Sequence, residues 1–172
     1  MGKQPIQGTI HTHEADPLDE AQRLGAQLRQ AMAGWPTGVA ILAVRHRARI
    51  EALTVNSFIS VSLTPPLILV SIAQTAQILP LLNEAGRFTI SVLAADQARI
   101  ASQVADRMPG LQRSFTDEEQ PVVRDSVAHL FCTTSQTEPA GDHILYVAAV
   151  TQVRLGRNAA SLLYVNGKYG HP

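Results

Sequence analysis

Hydroxyl and amide side chains gather in one stretch of an otherwise apolar region. Thr54, Asn56, Ser57, Ser60, Ser62 and Thr64 are interleaved with Val55, Phe58, Ile59, Val61 and Leu63, and the stretch closes with Pro65-Pro66-Leu67. Polar groups held among apolar ones need hydrogen-bond partners, either nearby backbone or a ligand rich in donors and acceptors. Spacing alone favours the backbone for Thr54, Ser57 and Ser62, because Ser and Thr commonly bond neighbouring peptide groups. A second concentration is Gly141-Asp142-His143, directly after Pro139-Ala140 and at the mouth of a long apolar run. Glycine permits close backbone approach, and a histidine beside an acid is placed to position or polarise a bound molecule. A plain turn, with Asp142 bonding its own loop, is the simpler alternative.

Other chemistry has less to work with. His11 and His13 lie in a stretch without apolar periodicity, and His129 and Cys132 are three apart in a predicted strand, on opposite faces, so no metal site is expected. Cys132, within Leu130-Phe131-Cys132-Thr133, reads as a small buried thiol rather than a nucleophile. A Gly-x-Gly-x-x-Gly turn, a P-loop and a nucleophile elbow are all absent from the sequence, which removes the usual support for Rossmann binding, P-loop hydrolysis and α/β-hydrolase chemistry.

The elements that must hold these residues belong to a chain of 172 residues, 45% hydrophobic, long enough for one sizeable core. Charged residues are only 16%, fourteen basic and fourteen acidic, against roughly 25% in ordinary soluble domains. A surface so short of charge predicts cover by a second copy of the chain. With net charge zero and no basic cluster beyond Arg45-His46-Arg47-Ala48-Arg49, binding to nucleic acid is not expected. No basic segment followed by an apolar run opens the sequence and no apolar run reaches about 18 residues, so neither export nor a membrane span is expected, and the lone cysteine fits a cytoplasmic setting.

Residues 1–15 read as a loose arm and 16–172 as a single domain. Asp16-Pro17-Leu18-Asp19-Glu20 combines a capping acid, a proline at the first helical position and acids in the first turn, which predicts a helix start. Leu18, Ala21, Leu24, Leu28, Ala31 or Met32, and Trp35 follow at helical spacing, a stripe expected to face a core, and Gly34 and Pro36 end the helix. Strands are predicted at 38–44, 50–55, 67–72, 87–93, 127–136, 143–155 and 161–165, helices at 77–85 and 96–105, and a long loop with about one helical turn over 106–126. The run from His143 to Leu155 is apolar on both faces, as in a closed barrel with something packed outside. The whole reads as mainly β with helical additions.

The order of several segments resembles the flavin reductase family: Trp35-Pro36-Thr37-Gly38-Val39-Ala40, Leu53-Thr54-Val55-Asn56-Ser57-Phe58 with Ser60 to Leu67, Phe88 to Leu93, Gly141-Asp142-His143, and Leu162-Leu163-Tyr164 with Gly167-Lys168-Tyr169. The likeness runs from about Leu28 to Tyr169. It implies an FMN-binding split β-barrel, dimeric, that moves a hydride from NADH or NADPH to FMN, with FAD possible, and supplies reduced flavin to a partner monooxygenase. It implies that residues 50–57, including Ala52, Leu53, Thr54, Asn56 and Ser57, border the flavin ring. It also implies that Ser71, Ile72 and Ala73 follow the ribityl chain, and that Gly141, Asp142 and His143 approach the nicotinamide with Tyr169, His143 being the catalytic candidate.

The phosphate side departs from the pattern. Gln74-Thr75-Ala76-Gln77-Ile78 stands where relatives commonly carry a Ser/Arg/Ser type of cluster, leaving Gln77 as the candidate there, and Gln103 stands where many have an Arg. Phosphate is normally met by charge-assisted hydrogen bonds. Backbone amides, Thr75, Arg45, Arg47, Arg99 or Lys168 are the candidates for compensation. A flavin-binding carrier, sensor or electron-transfer module without turnover is the alternative function.

Overall fold

The structure is a computed structural model that describes residues 17–171, so the proposed arm, His11, His13 and the capping candidate Asp16 lie outside it. Among the described residues two compact units are distinguished, divided between Trp35 and Pro36. In the first, helix α1 spans Pro17–Ala33 and ends in a tightened turn, with the Gly34 and Trp35 amides donating to the carbonyls of Ala31 and Met32. Among the described residues its apolar stripe is exposed, with Leu18, Leu24, Leu28, Met32 and Trp35 all 53–70% exposed. Helical periodicity establishes that a face is apolar, not what covers it.

The second unit contains β1 (Thr37–Gly38), β2 (Ala40–His46), β3 (Arg49–Val55), β4 (Phe58–Leu63), β5 (Pro66–Ala73), α2 (Leu79–Ala85), β6 (Arg87–Val92), α3 (Ala98–Ala105), β7 (Ala128–Ala140), β8 (His143–Leu155), β9 (Leu163–Val165) and β10 (Lys168–Gly170). Seven strands form one antiparallel sheet in the order β3-β2-β6-β7-β8-β5-β4, and β1-β9-β10 form a second, smaller one. Phe58–Leu63, read in the sequence only as a polar-rich stretch, is a strand, and β10 is a further strand the sequence did not disclose. The long loop holds a single 3-10 turn at Leu111–Ser114, as expected.

The expected closed barrel is corrected by the ladder itself, which is open, with β3 and β4 each unpaired along one edge among the described residues. Yet only Asn56 and Ser57 connect these two edge strands, and two linking residues span at most about 11 Å. The sheet therefore curls until its ends nearly meet at that corner, where Ser57 Oγ donates to the Ser71 carbonyl at 2.6 Å and the Ser71 amide to the Ser57 carbonyl at 3.2 Å.

β2 is buried on both faces. Ala40, Leu42 and Val44 enter an inner core with Val70, Ile72, Leu82, Phe88, Ile90 and Tyr146, while Ile41 and Ala43 join Val39 in an outer core with Leu93, Ala101, Val104, Phe115 and Leu162. The alternation follows from the period of two along a strand. β6 repeats the inner pattern but turns Thr89 and Ser91 outward, where Thr89 Oγ1 donates to the Pro121 carbonyl at 2.5 Å and Ser91 Oγ accepts the Val123 amide at 2.9 Å. Gln97, Ser126 and His129 complete this buried polar set, with Gln97 Nε2 donating to the Arg124 carbonyl, Ser126 Oγ donating to Gln97 Oε1, and His129 beside Ser91.

The loop is also held by charge. Asp117, Glu118 and Glu119 are consecutive, and each meets an Arg from a different strand: Arg45 of β2, Arg154 of β8 and Arg87 of β6. Arg154 grips both oxygens of Glu118, at 3.0 and 3.2 Å, and lies over the Phe131 ring. That forked hydrogen bond holds the Glu118 carboxyl below its ordinary value of 4.5. Because the folded value is depressed, its stabilisation is complete above the ordinary value and disappears as pH falls through the lowered one. Glu118→Gln is expected to reduce stability at neutral pH by no more than about 1 kcal/mol, since the pair is half exposed, and to flatten the acid limb of a stability-pH curve measured by urea unfolding.

A sterically demanding point lies at Gly156, whose amide donates to the Val127 carbonyl at 2.9 Å. A Cβ there would sit 2.1 Å from the Ser126 carbonyl oxygen, a backbone atom that cannot swing aside. Gly156→Ala is expected to cost about 1–3 kcal/mol, read as a lowered thermal midpoint.

Candidate functional site

β3 is an edge strand, so every second residue along it turns backbone N–H and C=O groups away from the sheet. Its side chains divide by the same period. Leu53 packs against the inner core, whereas Ile50 and Ala52 pack against the outer one, on the side of α3. Thr54 lies two residues beyond Ala52, and its Oγ1 donates to the Ala101 carbonyl of α3 at 2.7 Å.

Two cavities lie along this strand. The larger, about 600 Å³, is bordered by Arg49 to Ala52 of β3, by Gln77, by Val104 at the end of α3, and by the turn from Arg107 to Gln112. The smaller, about 210 Å³, is bordered by Val39, Thr54, Asn56, Ala105, Tyr164 and Tyr169. Ala52 borders the first and Thr54 and Asn56 the second, so alternate residues of one strand carry both. Asn56 Nδ2 donates to Thr37 Oγ1 at 3.1 Å, and the rings of Tyr164 and Tyr169 are 5.4 Å apart. Partial burial raises the Tyr169 hydroxyl above its ordinary range, against the lowering effect of a hydrogen bond with Ser102. A third cavity, about 220 Å³, sits by the acidic strap and is bordered by Arg45, Arg47 and Arg87, so of the residues nominated from the sequence it meets only the compensation candidates Arg45 and Arg47.

The remaining nominated residues form another neighbourhood. Ser71, Ile72 and Ala73 end β5, and their register partners on β8 are Leu145, Ile144 and His143. Ile72 is fully buried in the inner core, with neither side chain nor backbone exposed. The tight turn between β7 and β8 is Gly141-Asp142, with Gly141 at φ +62°; a Cβ there would meet nothing within 4 Å. Its glycine is thus required by left-handed backbone, not by close approach. Gln74 fastens this turn to the end of β5, its amide donating to the Asp142 carbonyl at 2.9 Å and its Nε2 to the Gly141 carbonyl at 3.0 Å. His143 Nδ1 meets Asp142 Oδ1 at 2.7 Å, which orients the ring and leaves Nε2 as the nitrogen open to a bound molecule.

The hydroxyls of Thr54 and Ser57 spend their protons on backbone carbonyls, and Ser62 Oγ accepts the Thr64 amide. Toward a ligand, Thr54 and Ser57 therefore offer acceptor lone pairs rather than donors. Burial pushes the Cys132 thiol up to about 12, which keeps it protonated and unreactive. Arg107, absent from the sequence candidates, stands on the larger cavity with its Nη1 donating to Gln77 Oε1. Arg45, Arg47, Arg99 and Lys168, nominated for the phosphate side, do not border that cavity.

Residues 32–171 match the model of the flavin reductase like domain. The chain is 35% identical over 147 residues to an actinorhodin polyketide dimerase of Streptomyces coelicolor, covering 83% of each chain. It is 31% identical over 174 residues to an NADH-dependent FMN reductase of Streptomyces nodosus subsp. asukaensis, covering 94% of this chain and 91% of the other. Among solved structures it is similar to BorF, the flavin reductase component of a bacterial two-component tryptophan halogenase, with 31% identity, a TM-score of 0.79, and coverage of 86% of this chain and 97% of that one. The curled open sheet, the cavities along its edge and a family match that spans most of the sequence agree: the chain belongs to the flavin reductase-like domain family.

Proposed function

We propose that this protein is an NAD(P)H-dependent flavin reductase, built as a split β-barrel that works as a homodimer and passes reduced flavin to a partner monooxygenase. The observation that carries the reading is the pair of cavities along the free edge of β3, in a chain of the flavin reductase-like family. Their chemistry fits a flavin: an edge strand supplies backbone donors and acceptors, Thr54 and Asn56 add polar side chains, and Ala52 leaves room for a flat ring. When bound, the flavin supplies the ring that accepts a hydride from the nicotinamide. The protein's task is then alignment of two rings rather than proton transfer. In this reading Ala52, Leu53, Thr54, Asn56 and Ser57 seat the ring, Leu53 through its backbone. Ser71, Ile72 and Ala73 line the path of the ribityl chain, and Gln77 stands on the phosphate side. Gly141, Asp142 and His143 hold the nicotinamide together with Tyr169, with Asp142 fixing the imidazole of His143.

Two features support a second copy of the chain as partner. The edge strand β4 is unpaired on one side and exposes Ile59, Val61 and Leu63, by up to 85% of the side chain's surface. Proteins seldom leave such an edge uncovered. The apolar stripe of α1, Leu18, Leu24, Leu28, Met32 and Trp35, is a further face that a second copy can cover. None of the described helices is long and apolar enough to cross a membrane.

A polyketide dimerase is 35% identical to this chain, so NADH turnover is what separates the activities. Mixing protein with FMN and then NADH under anaerobic conditions is expected to bleach the flavin band far faster than without protein. Flavin binding without bleaching by NADH or NADPH would overturn the reductase and favour a carrier or sensor. His143→Ala is expected to lower kcat by about tenfold or more, some 1.4 kcal/mol, while FMN affinity stays within about twofold. Asn56→Ala is expected to weaken FMN about tenfold, read by flavin fluorescence. Ile59→Glu places a charge on the β4 edge and is expected to shift the protein from dimer to monomer in sedimentation velocity; a parent that already sediments as a monomer would remove the dimer.

A further inference from the structure

The larger cavity is where the chain's missing charge reappears. Just before α2, and at position 103 of α3, the sequence offers neutral groups, Gln74 to Ile78 and Gln103, and Arg99 of α3 does not border the cavity. One turn beyond Gln103, the chain leaves α3 through Asp106 and Arg107, and Arg107 adopts φ +53°, a left-handed backbone that costs a residue with a Cβ roughly 1 kcal/mol or more. The reversal is locked by the Arg107 amide donating to the Val104 carbonyl at 3.1 Å and the Met108 amide to the Gln103 carbonyl at 2.9 Å. It carries the guanidinium across the cavity mouth to Gln77, whose side-chain oxygen accepts from Nη1. The strain therefore holds a cation against the segment that approaches from β5.

The partners of that cation are informative. Arg49, which also borders the cavity, has Glu51 at 4.0 Å, whereas the hydrogen bond of the Arg107 guanidinium is to a neutral amide. A guanidinium has five N–H donors, and a neutral amide oxygen uses one of them without neutralising its charge. Two guanidinium groups and one carboxylate thus face a cavity of about 600 Å³, a net positive end to the space beside Ala52. A phosphate monoester is the ligand group that such a fork suits, since it accepts two parallel charged hydrogen bonds and cancels the charge.

We infer that Arg107 is the specificity-determining residue for the flavin 5′-phosphate, taking the role that neutral residues at 74–78 and 103 leave open. The inference rests on the flavin reading of this cavity. On binding, the guanidinium exchanges its neutral Gln77 partner for the phosphate, and Gln77 Nε2 becomes free to donate to the same group. FMN is then distinguished from riboflavin by this contact, while the ring contacts along β3 are common to both.

The test compares dissociation constants of FMN, FAD and riboflavin, measured by flavin fluorescence, for the parent, Arg107→Gly and Arg107→Lys. Glycine removes the charge but suits the left-handed backbone, so its thermal midpoint is expected to equal or exceed that of the parent. The expected result is FMN affinity reduced about 10- to 100-fold in Arg107→Gly, riboflavin affinity within twofold of the parent, and part of the FMN preference kept in Arg107→Lys. FAD losing affinity alongside FMN would extend the contact to a phosphodiester; FAD unchanged would restrict it to the terminal phosphate, and either agrees with the assignment. An FMN preference that survives Arg107→Gly, or equal losses for FMN and riboflavin, would overturn it. A parent that binds FMN no better than riboflavin would overturn it while leaving the reductase reading intact, and a parent that binds no flavin would remove both.

Discussion

The rest of the structure depends on β2 being buried on both faces. A strand whose alternate side chains all need apolar cover must have one layer inside the curl of the sheet and another outside it. The inner layer comes from β5, β6, β8 and α2, the outer one from α3, the segment around Phe115 and Leu162. Because α3 is needed to cover β2, it also comes to lie across the neighbouring β3, and the gap between the helix end and that strand becomes the pair of cavities. The candidate site is thus a by-product of covering a strand next door.

The long polar segment between α3 and β7 would otherwise be a weak part of the outer layer. It is held by side chains that the strands turn outward, Thr89 and Ser91 to backbone groups, and by three consecutive acids reaching arginines on three strands. Each exposed ion pair contributes little by itself. Their value is in position: they fix the loop that carries Phe115 and Val123 into the outer core, and Phe115 in turn borders the larger cavity.

Hydride transfer between two bound rings asks for geometry more than for acids and bases, and the polar groups here suit that demand. The hydroxyls of Thr54 and Ser57 are engaged with backbone, His143 is held by Asp142, and Gln74 ties the β7–β8 turn to β5. These contacts make rigid walls. The one strongly basic group in strained backbone at the larger cavity, Arg107, follows a helix end instead of sitting at either of the positions that local sequence comparison nominates.

Much was legible in the sequence by itself. Proline and acids marked the start of α1, alternating or continuous apolar runs marked most strands, and the order of short motifs marked the family, because propensity, period and local motifs are properties of neighbouring residues. Phe58–Leu63 escaped although Ile59, Val61 and Leu63 alternate with Ser60 and Ser62 at strand period, because its serines read equally as ligand-binding groups, and Lys168–Gly170 because three residues carry no period at all. Other features belonged to the tertiary structure alone. Whether the α1 stripe is covered, whether the sheet closes, which face of β3 meets a cavity and that Arg107 reaches Gln77 thirty residues away all depend on contacts between segments distant in the chain. A local pattern specifies what a face is made of; only the fold decides what stands opposite it.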